Sequence, residues 1–142
     1  MIFKSIISKM DRLAEIAIVL RKTKQTGRNF HLTAIYDKDK LISMGWNDYN
    51  RPYPEKRFNI KYEPYKCTNG KYIPCLHSEI HAAIISNKLD FSDYIWMNIR
   101  INNSGRLDIS KPCPNCMRLI TQQLGYKKIY YFNENREIEV IS

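Results

Sequence analysis

The side chains of this protein best suited to chemistry lie in two short segments, His77-Ser78-Glu79 and, starting 33 residues after Glu79, Pro112-Cys113-Pro114-Asn115-Cys116. One imidazole and two thiolates are donors that Zn²⁺ accepts in tetrahedral geometry, and three protein ligands leave the fourth position for water. His77, Cys113 and Cys116 are therefore the candidate metal ligands. Zinc lowers the pKa of its bound water from 15.7 toward roughly 7, which makes hydroxide available at neutral pH. Glu79 follows the imidazole by two positions, so it can face the open position, hydrogen-bond the water and carry its proton. Such a general acid/base role is worth typically ~10²–10⁴ in rate. The competing reading is a structural zinc, which recruits a fourth protein ligand; Cys75 and His81 are the nearby candidates.

Positioning these groups requires two helix starts to meet. The two-residue gap between the cysteines puts both thiolates near the first turn of a helix expected over 114–124. Its opening proline is tolerated there and Gly125 ends it. The positive end of that helix and the metal both lower a thiol pKa. His77 opens another helix, expected over 77–87, with Ile80, Ala83 and Ile84 as its apolar stripe. Ahead of these, Ile6, Met10, Leu13, Ala17 and Leu20 recur at spacings of three and four, an amphipathic first helix with Ser5 as a candidate cap and an end before Gly27.

Strand signals lie between the helices. Residues 31–36 and 41–46 flank the polar tetrapeptide Asp37-Lys38-Asp39-Lys40 and predict a β-hairpin. Residues 94–101 alternate, with Ile95, Met97, Ile99 and Ile101 on one face and Tyr94, Trp96, Asn98 and Arg100 on the other. Strands at 127–132 and 137–141 are separated by only about four residues, too few for a parallel crossover, so they form an antiparallel hairpin. By contrast, the strand at 94–101, the helix at 114–124 and the strand at 127–132 make a right-handed parallel crossover. The expected fold class is α/β, a mixed sheet covered by three helices.

Length and composition fit one domain over residues 1–142: 44% of the chain is hydrophobic and 26% charged, which suits a packed interior and excludes a disordered chain. The longest apolar runs are about five residues against the roughly 20 that a bilayer needs, so no membrane partner is expected. Lys4, Lys9, Asp11 and Arg12 interrupt any signal-peptide stretch, and a cytoplasmic location is expected. There, the four cysteines read as metal ligands or free thiols in preference to disulfides. Cys67 and Cys75 are read as ordinary thiols over a second metal site with His81, and His31 as a surface or hydrogen-bonded histidine.

The net charge is +9, with seven Lys/Arg against two acidic residues over 1–30 and six against two over 49–72. That distribution suits phosphate-bearing partners, although basic chains are also common for solubility alone. From 47 to 74 regular periodicity disappears among four prolines and Gly70, and five of the ten tyrosines fall there. Long loops of this kind tend to be functional or mobile. Its tyrosines and basic residues could stack bases and hold phosphates, or form an irregular insertion with its own small hydrophobic cluster. Arg21-Lys22-Thr23-Lys24 reads equally as a phosphate contact or a solvated helix end.

The H-x-E and P-C-x-x-C segments match the signature of zinc nucleobase deaminases. With Leu76 to Ala83, and residues 111–125 followed by Tyr126-Lys127-Lys128-Ile129-Tyr130-Tyr131, the chain resembles the cytidine deaminase superfamily over nearly its whole length. The resemblance implies a three-layer α/β/α sandwich around a five-stranded mixed sheet, one catalytic Zn²⁺ on His77, Cys113 and Cys116, and Glu79 as proton shuttle. The implied reaction converts cytosine to uracil with release of ammonia, with an adenine deaminase or a non-catalytic nucleic-acid-binding module with structural zinc as alternatives.

Gly45-Trp46-Asn47 sits where many members of that superfamily place Gly-x-Asn, whose asparagine contacts the base or sugar, so Asn47 is the first candidate substrate contact. Trp46 could stack on a base or close its strand by core or rim packing. Tyr49 stands where free-cytidine deaminases tend to carry a sugar-binding glutamate, a departure from nucleoside recognition of that style. The terminal hairpin, in turn, resembles the branch holding free-nucleoside deaminases and several toxin-like nucleic-acid deaminases. The expected partner is thus a cytosine nucleotide or single-stranded DNA or RNA, and the resemblance admits a homo-oligomer.

Overall fold

A computed structural model describes residues 2–24, 29–48 and 77–142; of the long loop, only Asn47 and Asp48 fall within that range. The first element, α1 (Lys4–Lys24), buries the stripe read from its spacing: Ile6, Met10, Leu13 and Ala17 enter one core layer with Leu20 at its margin. Ser5 lies inside the helix; the amides of Ile6 and Ile7 donate to the carbonyl of Phe3, a main-chain acceptor that displaces the expected serine cap.

The sheet is built from β1 (Phe30–Asp37), β2 (Lys40–Trp46), β3 (Ile95–Ile101), β4 (Lys128–Phe132) and β5 (Ile138–Ile141), in the order β2-β1-β3-β4-β5. All neighbours run antiparallel except β3 and β4, the pair that flanks the helical crossover. The hairpin between β1 and β2 is tighter than a four-residue connection, since Asp37 and Lys40 already pair. Lys38, at φ 55°, takes the left-handed position of the turn. Together with its three helices this is a five-stranded mixed α/β sheet of the expected class.

The period-two pattern of β3 sorts its side chains to two cores. Met97, Ile99 and Ile101 pack with α1, Phe30, Leu32 and Ala34, whereas Trp96 packs on the opposite face with Ile80, Phe91, Leu119 and Ile129. Both faces are therefore covered, and the helices on the second face are α2 (Ser78–Ser86) and α3 (Pro114–Leu119). The sequence predicts one regular helix over 114–124; α3 instead widens into a π-helical segment, Ile120–Leu124. Its end is set by Gly125, whose amide donates to the Ile120 carbonyl at 2.7 Å and whose φ of 91° disfavours a side chain. No helix among the described residues is long and apolar enough to cross a membrane.

Candidate metal centre and active site

The starts of α2 and α3 meet above the end of the sheet where β3 finishes. His77 is the N-cap of α2, with extended backbone (φ −86°, ψ 153°), so its side chain leaves the helix before the first turn closes. Cys113 is the N-cap of α3, followed by Pro114 with its preset φ, and its sulfur accepts the amide of Cys116 at 3.4 Å. These two caps bring His77, Cys113 and Cys116 together with their ligand atoms all within 4.8 Å of one another.

The spacing fits a tetrahedral ion. Zn–N and Zn–S bonds of about 2.0–2.1 and 2.3 Å at tetrahedral angles require nitrogen and sulfur about 3.5 Å apart. Nδ1 of His77 lies 3.6 Å from Cys113 Sγ and 3.4 Å from Cys116 Sγ. The thiols are electrostatically unequal. Hydrogen bonding with Cys116 pulls Cys113 down to about 5, against burial, while its bond to Cys113 and burial both push the Cys116 thiol up. Such a pair exchanges its shared proton for a divalent cation when both sulfurs become ligands. His81, the rival fourth ligand, is engaged elsewhere: the Trp46 amide donates to its Nδ1 at 3.0 Å. The Trp46 ring meets it edge-on at 4.9 Å. Among the described residues, His77, Cys113 and Cys116 are the group able to hold a metal.

Glu79, in the first turn of α2, is buried beside this centre and held from two sides. Asn98 Nδ2 donates to Glu79 Oε2 at 2.9 Å, and Ser78 Oγ donates to Oε1 at 3.1 Å. Asn47 is also buried. Its Oδ1 accepts the amide of His31 at 2.8 Å and its Nδ2 donates to the Asn29 carbonyl at 3.2 Å, so it ties the start of β1 to the end of β2. Tyr49, Cys67 and Cys75 lie outside the described residues.

Four residues near the centre were not singled out as site residues from the sequence: Thr33, His31, Asn98 and Arg100. Strand register assembles them, with Thr33 opposite Asn98 and His31 opposite Arg100. Burial lowers the His31 pKa to about 4, opposed by the Glu79 carboxylate and aided by Arg100 and His77, so the ring is neutral at pH 7. Arg100 donates through Nη2 to Asn29 Oδ1 at 3.3 Å, while its buried Nε has no partner among the described residues. For Asn98 and Arg100 the sequence signal is the second face of the 94–101 strand, where they alternate with Tyr94 and Trp96.

By sequence, no protein-family model and no curated protein matches this chain. By structure it is similar to the dCMP deaminase of cyanophage S-TIM5, crystallised in complex with dCMP and dUMP. The TM-score is 0.54 at 20% identity, over 94% of this chain and 85% of that one. The strand order, the covering helices and this likeness agree, and the protein has the cytidine deaminase-like α/β fold.

Proposed function

We propose that this protein is a zinc-dependent hydrolytic deaminase that converts the cytosine of a nucleotide to uracil and releases ammonia. The observation that carries the reading is the three-donor group His77, Cys113 and Cys116 at tetrahedral spacing, with the Glu79 carboxylate buried beside it. When bound, Zn²⁺ supplies the Lewis acidity that makes hydroxide accessible near neutral pH. His77, Cys113 and Cys116 hold the ion. Glu79 would accept one proton from the attacking water and pass it to the ring nitrogen, then take the second proton from that same oxygen and deliver it to the departing amine. The exchange balances: water and the cytosine base give the uracil base and ammonia, with no oxidant or second substrate.

A monomeric nucleotide such as dCMP is favoured by the likeness to a dCMP deaminase and by Arg100, whose guanidinium retains an uncommitted buried N–H among the described residues. Arginine suits a phosphate because its planar donors match two oxygens at once. Asn47, Trp46 and Tyr49 are the proposed base and sugar contacts. A second reading, single-stranded nucleic acid, is favoured by the net charge of +9 and its concentration in two stretches.

The test offers the purified protein dCMP, deoxycytidine, AMP, single-stranded DNA and single-stranded RNA at low and high salt, beside a Glu79→Gln variant. Ammonia from dCMP that is insensitive to salt, lost in Glu79→Gln while zinc content is unchanged, sustains the proposal. Activity mainly on polymers and falling steeply with salt selects the second reading, and release only from AMP moves the assignment to adenine. Activity surviving in Glu79→Gln would refute the shuttle.

A further inference from the structure

Thr33, Ser78, Glu79 and Asn98 form a closed ring of polar contacts buried between the sheet and the start of α2. Thr33 Oγ1 donates to Asn98 Oδ1 at 2.8 Å and lies 2.8 Å from Ser78 Oγ. Ser78 Oγ donates to Glu79 Oε1 at 3.1 Å, and Asn98 Nδ2 donates to Glu79 Oε2 at 2.9 Å. Thr33 is 0% exposed, Ser78 2%, Asn98 4% and Glu79 6%. Buried polar groups are costly unless paired, and the pairs here are Thr33 with Asn98, Asn98 with Glu79 and Ser78 with Glu79.

From this ring we infer that Asn98, backed by Thr33, is a positioning residue for the proton shuttle. The inference rests on the deaminase reading given above. A glutamate has three rotatable side-chain bonds, and proton transfer tolerates little displacement of the carboxylate. Asn98 removes that freedom. Because Thr33 donates to its Oδ1, the amide can present only Nδ2 to Glu79, and the carboxylate is held by one oxygen from the sheet and by the other from Ser78.

The main chain of Asn98 also reaches the metal loop. Its carbonyl accepts Ser110 Oγ at 2.7 Å, and Ser110, three residues before Cys113, is fixed to β4 by its amide to the Phe132 carbonyl at 3.0 Å. The Phe132 amide returns a bond to Ser110 Oγ at 2.8 Å. One residue of β3 therefore sets the shuttle through its side chain and the approach to the thiolates through its carbonyl, which gives the two parts of the site a common reference.

The test compares Asn98→Ala, Thr33→Val and Thr33→Ser by kcat, KM, bound zinc and urea unfolding, with Glu79→Ala as the partner for a double-mutant cycle. Expected are a fall in kcat of about 10–100-fold for Asn98→Ala with KM within about twofold and zinc retained. A smaller fall is expected for Thr33→Val, restored by Thr33→Ser. In the Glu79→Ala background, Asn98→Ala should change the unfolding equilibrium constant at least about threefold less than in the parent protein. Unchanged kcat in Asn98→Ala, a rise in KM alone, or strict additivity in the cycle would overturn the inference. If Asn98→Ala fails to fold, the Thr33 pair decides, with equal kcat in Thr33→Val and Thr33→Ser counting against it. A parent protein that deaminates nothing removes the functional reading alone, and the unfolding cycle still decides whether Asn98 holds Glu79.

Discussion

A methyl group added to Gly45 would lie 2.2 Å from the main-chain nitrogen of Ala82, so β2 and α2 touch backbone to backbone. The contact is bracketed by Ser43 Oγ donating to the Ala82 carbonyl at 2.8 Å and by the Trp46 amide on His81 Nδ1 at 3.0 Å. Helix α2 is thereby fixed one turn beyond Glu79. Gly45→Ala forces main chains apart, and such overpacking costs typically ~1–3 kcal/mol. Thermal unfolding should show a lowered midpoint and metal titration a weaker zinc affinity. An unchanged midpoint would mean that the helix is not seated by this contact.

Removing a sulfur donor should empty the metal site. Cys116→Ser and Cys113→Ser are expected to purify with far less zinc than the parent protein. A chelator should lower the parent's unfolding midpoint, and the stability lost grows with metal affinity, to about 2.7 kcal/mol for zinc present at 100 times its dissociation constant. Metal analysis and calorimetry check both. Equal midpoints with and without chelator would show that the three donors bind no ion under those conditions.

Acid should destabilise the fold through His31. Its pKa is lowered to about 4 from an ordinary 6.5 by burial, so folding favours the neutral ring. The corresponding stability is complete above about pH 6.5 and is lost as pH falls through 4, on the order of 1–3 kcal/mol. Urea unfolding across that range, compared with His31→Gln, should show a shallower slope for the variant between pH 6.5 and 4. Parallel slopes would remove His31 as the cause.

Arg100 should separate nucleotides from nucleosides. If its guanidinium takes the substrate phosphate, Arg100→Gln loses a charge-assisted hydrogen bond of about 1.5–3 kcal/mol, a rise of roughly 10–100-fold in KM for dCMP. Activity on deoxycytidine, which carries no phosphate, should stay the same. An equal loss for both substrates would place Arg100 in the framework of β1 and β3, where it bonds Asn29.

Local chemistry was legible in the chain because it depends on close neighbours. The two-residue gap of Cys113 and Cys116, the proline that starts α3, the stripe of Met10, Leu13 and Ala17, and the alternation of Met97, Ile99 and Ile101 each follow from helical or strand period. The short link between β4 and β5 dictated antiparallel pairing, and the longer span from β3 to β4 a parallel one. Register between distant strands leaves no such trace. That Thr33 faces Asn98, 65 residues away, and His31 faces Arg100 follows from how β1 and β3 slide into pairing, which the packing of both faces decides together. Asn98 reads only as one member of the second face of an alternating strand, and its amide meets Glu79 because α2 packs on that face. Gly45 likewise reads as part of a short motif, whereas its missing side chain is required by the approach of a helix that begins more than thirty residues later.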